Sequence, residues 1–442
     1  GGATRDGKLV AADVSVLADG GAYCYTTNKV LGNTALTCTG PYAFPNVRVE
    51  VDGVYTNNLP GGAFRGFGAP QGTYAAEMQM NKLAEVLEAD PVALRMKNLL
   101  RDDTPTIVRT PLPGGVSLTE VTERCARAIG WQRADDGQGD GLRGWRRPAS
   151  KATPRLDTPS DAVRSGIGLA VGFKNVGFSF GFQENCWAKI VLHGDEEIER
   201  ALVSIGSADV GQGAHTVIRQ MAAEAVEVPL DRVRMEASDT ATSPGSSGST
   251  SASRMTFMAG NAVRQAAAQV LQRWQEGDRP AVAEETYLAP ATTHFDPETG
   301  EGLPNFAYGY VAQAVEVAVD VETGQLDLRR VVCADDVGRA INPQQVEGQI
   351  EGGVVQAVGW ATCEHFITED GHIQTPHLST YLIPTIADVP EQVESIIVEE
   401  PDPRGPWGAR GMGEMPFIPL APALAAAVHD ATGVWIHEIP LT

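Results

Sequence analysis

The stretch AYGYVAQAVEVAVDVETGQLDLRRVVCADDVG, Ala307 to Gly338, decides the reading of the fold. Two runs dominated by valine, alanine and leucine flank Glu322-Thr323-Gly324, and β-branched residues bounded by a glycine turn predict two strands joined by a tight connection. Working outward, further strand-like runs lie at GIGLAVGF (166–173), CWAKIVLHG (186–194), ALVSIGSAD (201–209) and RVRMEAS (232–238). Helical spacing covers Ala214 to Val226, Phe257 to Trp274, Gln344 to Trp360 and Ala421 to Thr432. Near the start, KLVAADVSVLAD (8–19) and NVRVEVDGVYT (46–56) alternate in polarity and are expected to be antiparallel strands. Two helices follow in residues 73–100, the second opened by Asp90 as N-cap with Pro91 at the first helical position. Residues from Arg101 to Ser165 are rich in proline, glycine and charge, with one small helix at SLTEVTERCARAIGW (117–131). The class is therefore α+β with long mixed or antiparallel sheets, divided as 1–115, a connection 116–165, and 166–442.

Composition sets limits. The chain has 442 residues, 43% hydrophobic and 20% charged, which suits a globular protein with large cores. A formal net charge of -22 disfavours a nucleic-acid or anionic-membrane partner. Six scattered cysteines form no C-x-x-C pair, so buried thiols in a reducing, cytoplasmic setting are expected and any iron–sulfur cluster belongs on another chain. The chain opens on Gly1-Gly2 within strand pattern, from which a processed or truncated start, or a piece of a larger architecture, is expected.

Glycine-rich junctions carry the chemistry. RGPWGARGMGEMP (404–416) ends in one carboxylate, Glu414, among Trp407, Met412, Met415 and Phe417. Glycines permit close backbone approach to a bulky partner, so Glu414 is a candidate base, with a tight loop carrying a solvated glutamate as the competing reading. ADVGQGAHT (208–216) sets Gly211, Gln212 and Gly213 between strand and helix, where unpaired N–H groups suit an anion, or a plain turn. It lacks the Lys-Ser/Thr pair of a P-loop. SPGSSGSTSASRMTFMAGNAV (243–263) could wrap a polar ligand with hydroxyls or serve as a linker. In NPQQVEGQIEGGVVQAVGW (342–360), Gln349 with Gly352 and Gly353 fits either close helix packing or an amide facing a heterocycle. LPGGAFRGFGAPQG (59–72) places Arg65 between Phe64 and Phe67, as a flat ligand with a fixed cation would need, or as core rings beside a structural arginine.

In order, GGAFRGFGAPQG, VGQGAHT, SASR, GQIEGGVVQAVG and GARGMGE resemble the C-terminal part of the molybdenum-binding large subunit of the xanthine dehydrogenase and aldehyde oxidoreductase family. The resemblance is collinear over essentially the whole chain. It implies two large mixed domains without their N-terminal segment, holding a molybdopterin cofactor, plain or as cytosine dinucleotide, whose molybdenum takes no protein side chain. Glu414 matches the family's active-site glutamate and would act as base. Arg65 and Gly66 would lie near the metal centre, while Gly211, Gln212, Gly213, Ser251, Ala252, Ser253, Gln349 and Gly413 would contact the cofactor. Phe67, Phe178 and Ser179 would line the substrate pocket.

The same resemblance implies insertion of water-derived oxygen at an electrophilic carbon of an aldehyde or N-heteroaromatic ring, with electrons passed to 2Fe–2S and FAD subunits in a higher oligomer. A separate chain is expected to supply the earlier segment. The place where purine-oxidising enzymes carry an arginine falls near Asn33 or Thr34, neither of which offers a charged fork, so xanthine or hypoxanthine is the lesser expectation. GEMP replaces the commoner GEPP beside the base. A non-catalytic scaffold that kept the fold is the alternative class.

Overall fold

The computed structural model describes residues 1–134, 141–150, 161–243, 245–296 and 298–441. A short β1 (Gly2–Ala3) and a long β2 (Leu9–Gly21) lead through α1 (Thr27–Thr37) to β3 (Val47–Tyr55). Then come α2 (Ala69–Val86), α3 (Pro91–Asn98), α4 (Leu118–Ile129) and the small hairpin β4 (Gln132–Arg133) and β5 (Trp145–Arg146). The remaining strands are β6 (Val163–Val176), β7 (Asn185–His193), β8 (Arg200–Ile205), β9 (Val233–Ala237), β10 (Ala281–Leu288), β11 (Ala307–Asp320), β12 (Leu326–Asp336), the hairpin β13 (Thr368–Glu369) and β14 (His372–Ile373), and β15 (Gln392–Val398). Interspersed helices are α5 (Ala214–Ala225), α6 (Met255–Gln275), α7 (Pro343–Thr362) and α8 (Leu420–Thr432).

The pair β11 and β12 runs antiparallel, with Val315 opposite Val331, at the centre of a sheet ordered β15-β12-β11-β6. Consecutive residues feed opposite sides. Val331 and Cys333 enter one core with α6, α7 and α8, whereas Val332 and Ala334 enter a second core with α3 and α4. Both faces of the central strand β11 are buried, which explains why it is almost continuously apolar. Helix α8 lies so close to β6 that a Cβ on Gly166 or Gly168 would stand 2.2 Å from the carbonyl oxygen of Ala427 or 2.1 Å from that of Ala423. The alanine run of α8 is the other half of that fit.

The sheet ordered β10-β7-β8-β9 behaves differently. Ala188, Ile190 and Leu192 of β7 face the core under α5 and α6, while Lys189, Val191 and His193 between them are only half-buried. Asp90 caps α3 as its sequence predicts, accepting from the N–H groups of Val92 (2.8 Å) and Ala93 (3.1 Å). Among the described residues, no helix is long and apolar enough to cross a membrane.

Two expectations need correction. β2 and β3 pair in parallel, Val14 beside Val49, because α1 intervenes as a crossover that the sequence reading missed. Cys24 is exposed, so the cysteines are not uniformly buried thiols. The stretch expected as a connection, 116–165, falls partly outside the described residues; within it α4 packs on β11 and β12.

Candidate active site

The loop after β15 is fixed by its arginine and its glycines. Arg410, 2% exposed, donates to the carbonyls of Glu400 (3.1 Å), Tyr308 (3.0 Å) and Gly115 (2.8 Å) and lies 3.4 Å from Asp336. This cation is a structural anchor. A Cβ on Gly411 would stand 1.5 Å from the carbonyl oxygen of Ser253, so the two loops can meet only through a glycine. The chain then delivers Glu414 with 13% of its side chain exposed, which removes the solvated-loop reading.

Three groups from three elements converge on that carboxylate. The N–H of Gly66 donates to Oε1 at 3.1 Å, Ser253 Oγ donates to Oε2 at 2.9 Å, and Lys174 Nζ lies 3.0 Å from Oε2. The N–H of Glu414 donates back to Ser253 Oγ at 3.1 Å. Lys174 is wholly buried on β6 and also donates to the carbonyl of Asn175 at 3.0 Å. It was absent from the candidate residues of the sequence, yet a lone lysine inside the apolar run GLAVGFKN was a legible signal.

Arg65 ties the FRGFG loop to the same place. Its Nε donates to the carbonyl of Gly413 at 2.6 Å, and its Nη2 faces the carbonyl (3.2 Å) and side-chain oxygen (3.3 Å) of Gln349. Gln356, also unremarked in the sequence, accepts from Nη1 at 3.4 Å. Gly353 lets α7 come close to Pro416, since a Cβ there would lie 2.8 Å from Pro416 Cβ, while the Arg65 guanidinium stands at ordinary contact distance, 3.4 Å. Burial lowers the affinity of Arg65 for its proton, and Glu414 and Asp335 oppose that shift. Gly66, Phe67 and Gly68 all take left-handed backbone angles, φ 94°, 51° and 92°. Phe67 is thereby set in the wall of the cavity.

The Gly211–Gly213 junction is placed at the cavity but does not offer open donors. Asp209 Oδ1 accepts from the N–H groups of Gly211 (2.9 Å) and Gly213 (3.2 Å), and Oδ2 from that of His215 (3.1 Å). Burial opposes ionisation of Asp209, but these three N–H groups outweigh it and hold the carboxyl below its ordinary range. The expectation of unpaired N–H groups there is thus corrected, because a residue two positions upstream fills them. Gln212 likewise closes on its own loop, accepting from the N–H of Val210 (2.7 Å) and donating to the carbonyl of Ala208 (3.1 Å).

The candidate residues border one cavity of about 1440 Å³, with two exceptions. Gly66 reaches it through its N–H on Glu414, and Gly213 lies in the chain between the lining residues Gln212 and Ala214. Phe178 and Ser179 contribute from the loop after β6, and Ser251, Ala252 and Ser253 from the loop before α6. Asn33 lines it as well, as does Gln345; among the described residues the side-chain oxygens of both are buried without a partner.

Comparison with known proteins gives this cavity a context. The molybdopterin cofactor-binding domain family matches residues 1–99, and a second family of the same description matches 143–289 and 274–390. The chain is 31% identical to a probable xanthine dehydrogenase subunit of Bacillus subtilis (strain 168), covering 100% of this chain and 60% of that protein. It is 30% identical to the aldehyde oxidoreductase of Megalodesulfovibrio gigas, over 99% of this chain and 47% of that one. The solved aldehyde oxidoreductase from Desulfovibrio gigas superposes with TM-score 0.85 at 29% identity, covering 99% of this chain and 47% of its own. The chain thus spans about half to three fifths of the length of these relatives.

Proposed function

Because the chain belongs to the molybdopterin-binding large subunits of the xanthine dehydrogenase and aldehyde oxidoreductase family, we propose that it forms the molybdenum-cofactor part of a hydroxylase acting on an aldehyde or N-heteroaromatic substrate. The residues present fit such a group. A cavity of about 1440 Å³ exceeds the roughly 300–1,000 Å³ typical of one small ligand, leaving room for a large cofactor and a substrate together. Its wall carries unsatisfied amide oxygens on Gln345 and Asn33, which a polar heterocycle can partner. When bound, the cofactor supplies the redox chemistry.

The chain's residues supply holding and proton management. Arg65 braces Gln349 and Gly413, and Ser251, Ala252 and Ser253 with Gln212 border the cofactor's side of the cavity. Phe67, Phe178 and Ser179 bound the substrate's side. Glu414 is the base. Its Oε2 is occupied by Lys174 and Ser253, so Oε1, which among the described residues meets only the Gly66 N–H, is the atom that takes the proton of the water-derived nucleophile. Relatives named as a subunit or a large chain work with other chains, and we infer the same here: 2Fe–2S and FAD partners, and a pocket completed by the part of the relatives' length that this chain does not span.

The observation that carries this reading is the convergence of Gly66, Ser253 and Lys174 on Glu414. The test is Glu414→Gln in the assembled complex. Turnover of an aldehyde should fall by about 10²–10⁴, the usual worth of a general base, with molybdenum content retained. Turnover within a few-fold of wild type would remove Glu414 from the mechanism.

A further inference from the structure

Glu184 and Arg254 form an ion pair at 2.7 Å with 1% of each side chain exposed, outside the set of residues assigned above. Burying two charges costs several kcal/mol per ion before their attraction is counted, so such a pair is weak evidence for stability and is better explained by what it holds in place. Its further hydrogen bonds fall mainly on two loops. Glu184 Oε1 accepts from the N–H (2.9 Å) and Oγ (3.0 Å) of Ser179. Arg254 Nη1 donates to the carbonyls of Ser247 (2.8 Å) and Ser249 (3.2 Å), and Nη2 to that of Asn185 (2.8 Å) at the start of β7. The guanidinium lies 5.3 Å from the ring centroid of Phe178.

Both loops are strained without such support. Ser179 and Phe180 on one, and Ala252 and Ser253 on the other, take φ of 49°, 52°, 54° and 53°. Left-handed backbone at non-glycine residues costs on the order of 1–3 kcal/mol each and persists only where surroundings impose it. The two loops are joined directly where the N–H of Gly177 donates to the carbonyl of Ala252 at 2.9 Å. Glycines also make room for the pair: a Cβ on Gly177 would stand 2.4 Å from Glu184 Oε1, and one on Gly248 would stand 2.7 Å from Arg254 Nη1.

We propose that the Glu184–Arg254 pair is a positioning device for substrate specificity, which locks the aromatic loop Gly177–Gly181 to the loop Ser247–Ser253 and thereby fixes the ring of Phe178 for flat, aromatic substrates. Ser253 also donates to Glu414, but Gly66 and Lys174 hold that carboxylate independently of the pair, so weakening the pair frees the aromatic wall and leaves the base in place. A small aliphatic aldehyde has no ring to align and is indifferent to the device. The inference rests on the hydroxylase reading, and its test separates the two.

The experiment compares wild type with Glu184→Gln and Glu184→Asp in the assembled complex. Glutamine keeps an acceptor for Ser179 but leaves Arg254 without its counter-charge, whereas aspartate keeps the charge. In Glu184→Gln, KM for benzaldehyde should rise about tenfold or more while KM for acetaldehyde and both kcat values stay within about threefold, the size of change that pocket contacts produce. Benzamide, titrated calorimetrically as a non-reacting aromatic probe, should bind more weakly by the same factor, with partial recovery in Glu184→Asp and unchanged molybdenum content. Equal changes for both aldehydes, loss of molybdenum, or unchanged benzamide affinity would overturn the inference. Should Glu184→Gln fail to assemble, Glu184→Asp and Arg254→Lys are read by the same aldehyde ratio. If wild type turns over neither aldehyde, the hydroxylase reading fails and the benzamide affinities alone decide the loop inference.

Discussion

Lys174 reaches Glu414 from inside β6, its ammonium 3.0 Å from Oε2 with none of its own side chain exposed. Removing one partner of a buried pair strands the other. Glu414→Ala should therefore destabilise the protein by roughly 3–5 kcal/mol. Glu414→Gln, which retains an acceptor for Lys174, should cost less, and adding Lys174→Met to Glu414→Ala should recover part of the loss. Denaturant midpoints of wild type, Glu414→Ala, Lys174→Met and the double variant give the coupling directly; additive costs would show that the pair is energetically idle.

Gly411 and Gly413 predict opposite outcomes for the same substitution. Gly411→Ala drives a methyl into the Ser253 carbonyl and should cost about 4 kcal/mol or prevent folding. In Gly413→Ala the nearest atoms are Gln349 Oε1 at 3.8 Å and Ser253 Oγ at 3.9 Å, so the fold should hold within about 1 kcal/mol. Thermal melts of the two variants decide it, and equal losses would contradict the described approach of the loops.

Asp335 on β12 is fully buried, and among the described residues neither of its carboxyl oxygens has a hydrogen-bond partner. Burial pushes its carboxyl well above the usual range, reinforced by Asp336 and opposed by Arg65. The folded state therefore holds this proton to higher pH than the unfolded chain does. The associated stability is complete below the unfolded value, near 4, and is lost as pH rises toward the folded one. Asp335→Asn should flatten that decline and raise stability at neutral pH. Urea midpoints from pH 4.5 to 8 that fall in parallel for variant and wild type would refute this.

Arg65→Lys keeps the charge and loses the fork. One ammonium cannot serve the Gly413 carbonyl, both oxygens of Gln349 and Gln356 together. A stability loss of about 1–3 kcal/mol is expected, with less molybdenum retained per complex. Elemental analysis beside a denaturant curve measures both, and full retention would show that the fork is dispensable.

Much of this architecture is legible in the sequence, and the failures have physical causes. The β11–β12 hairpin, the cap at Asp90 and helices α5 to α8 follow from period, turn chemistry and capping. Helix α1 does not, because TNKVLGNTALT combines glycine, asparagine and threonine, poor helix formers that packing against α2 and β3 overrides. Missing α1 also made the β2–β3 pairing look antiparallel. The glycine junctions could be recognised singly, but their meeting on Glu414 is a fact of tertiary structure, as is the Asp209 carboxylate that fills the N–H groups of its own loop.

Val331 and Val332 are one peptide bond apart and belong to different cores. Neither core can melt while the other stays, since each would have to release a strand the other still grips. The loop that carries Glu414 is bolted to this shared sheet by Arg410, through Tyr308 of β11 and Asp336 of β12. Heat should therefore abolish both cores and the site in a single step, the carboxylate losing its partners only when the strands themselves part.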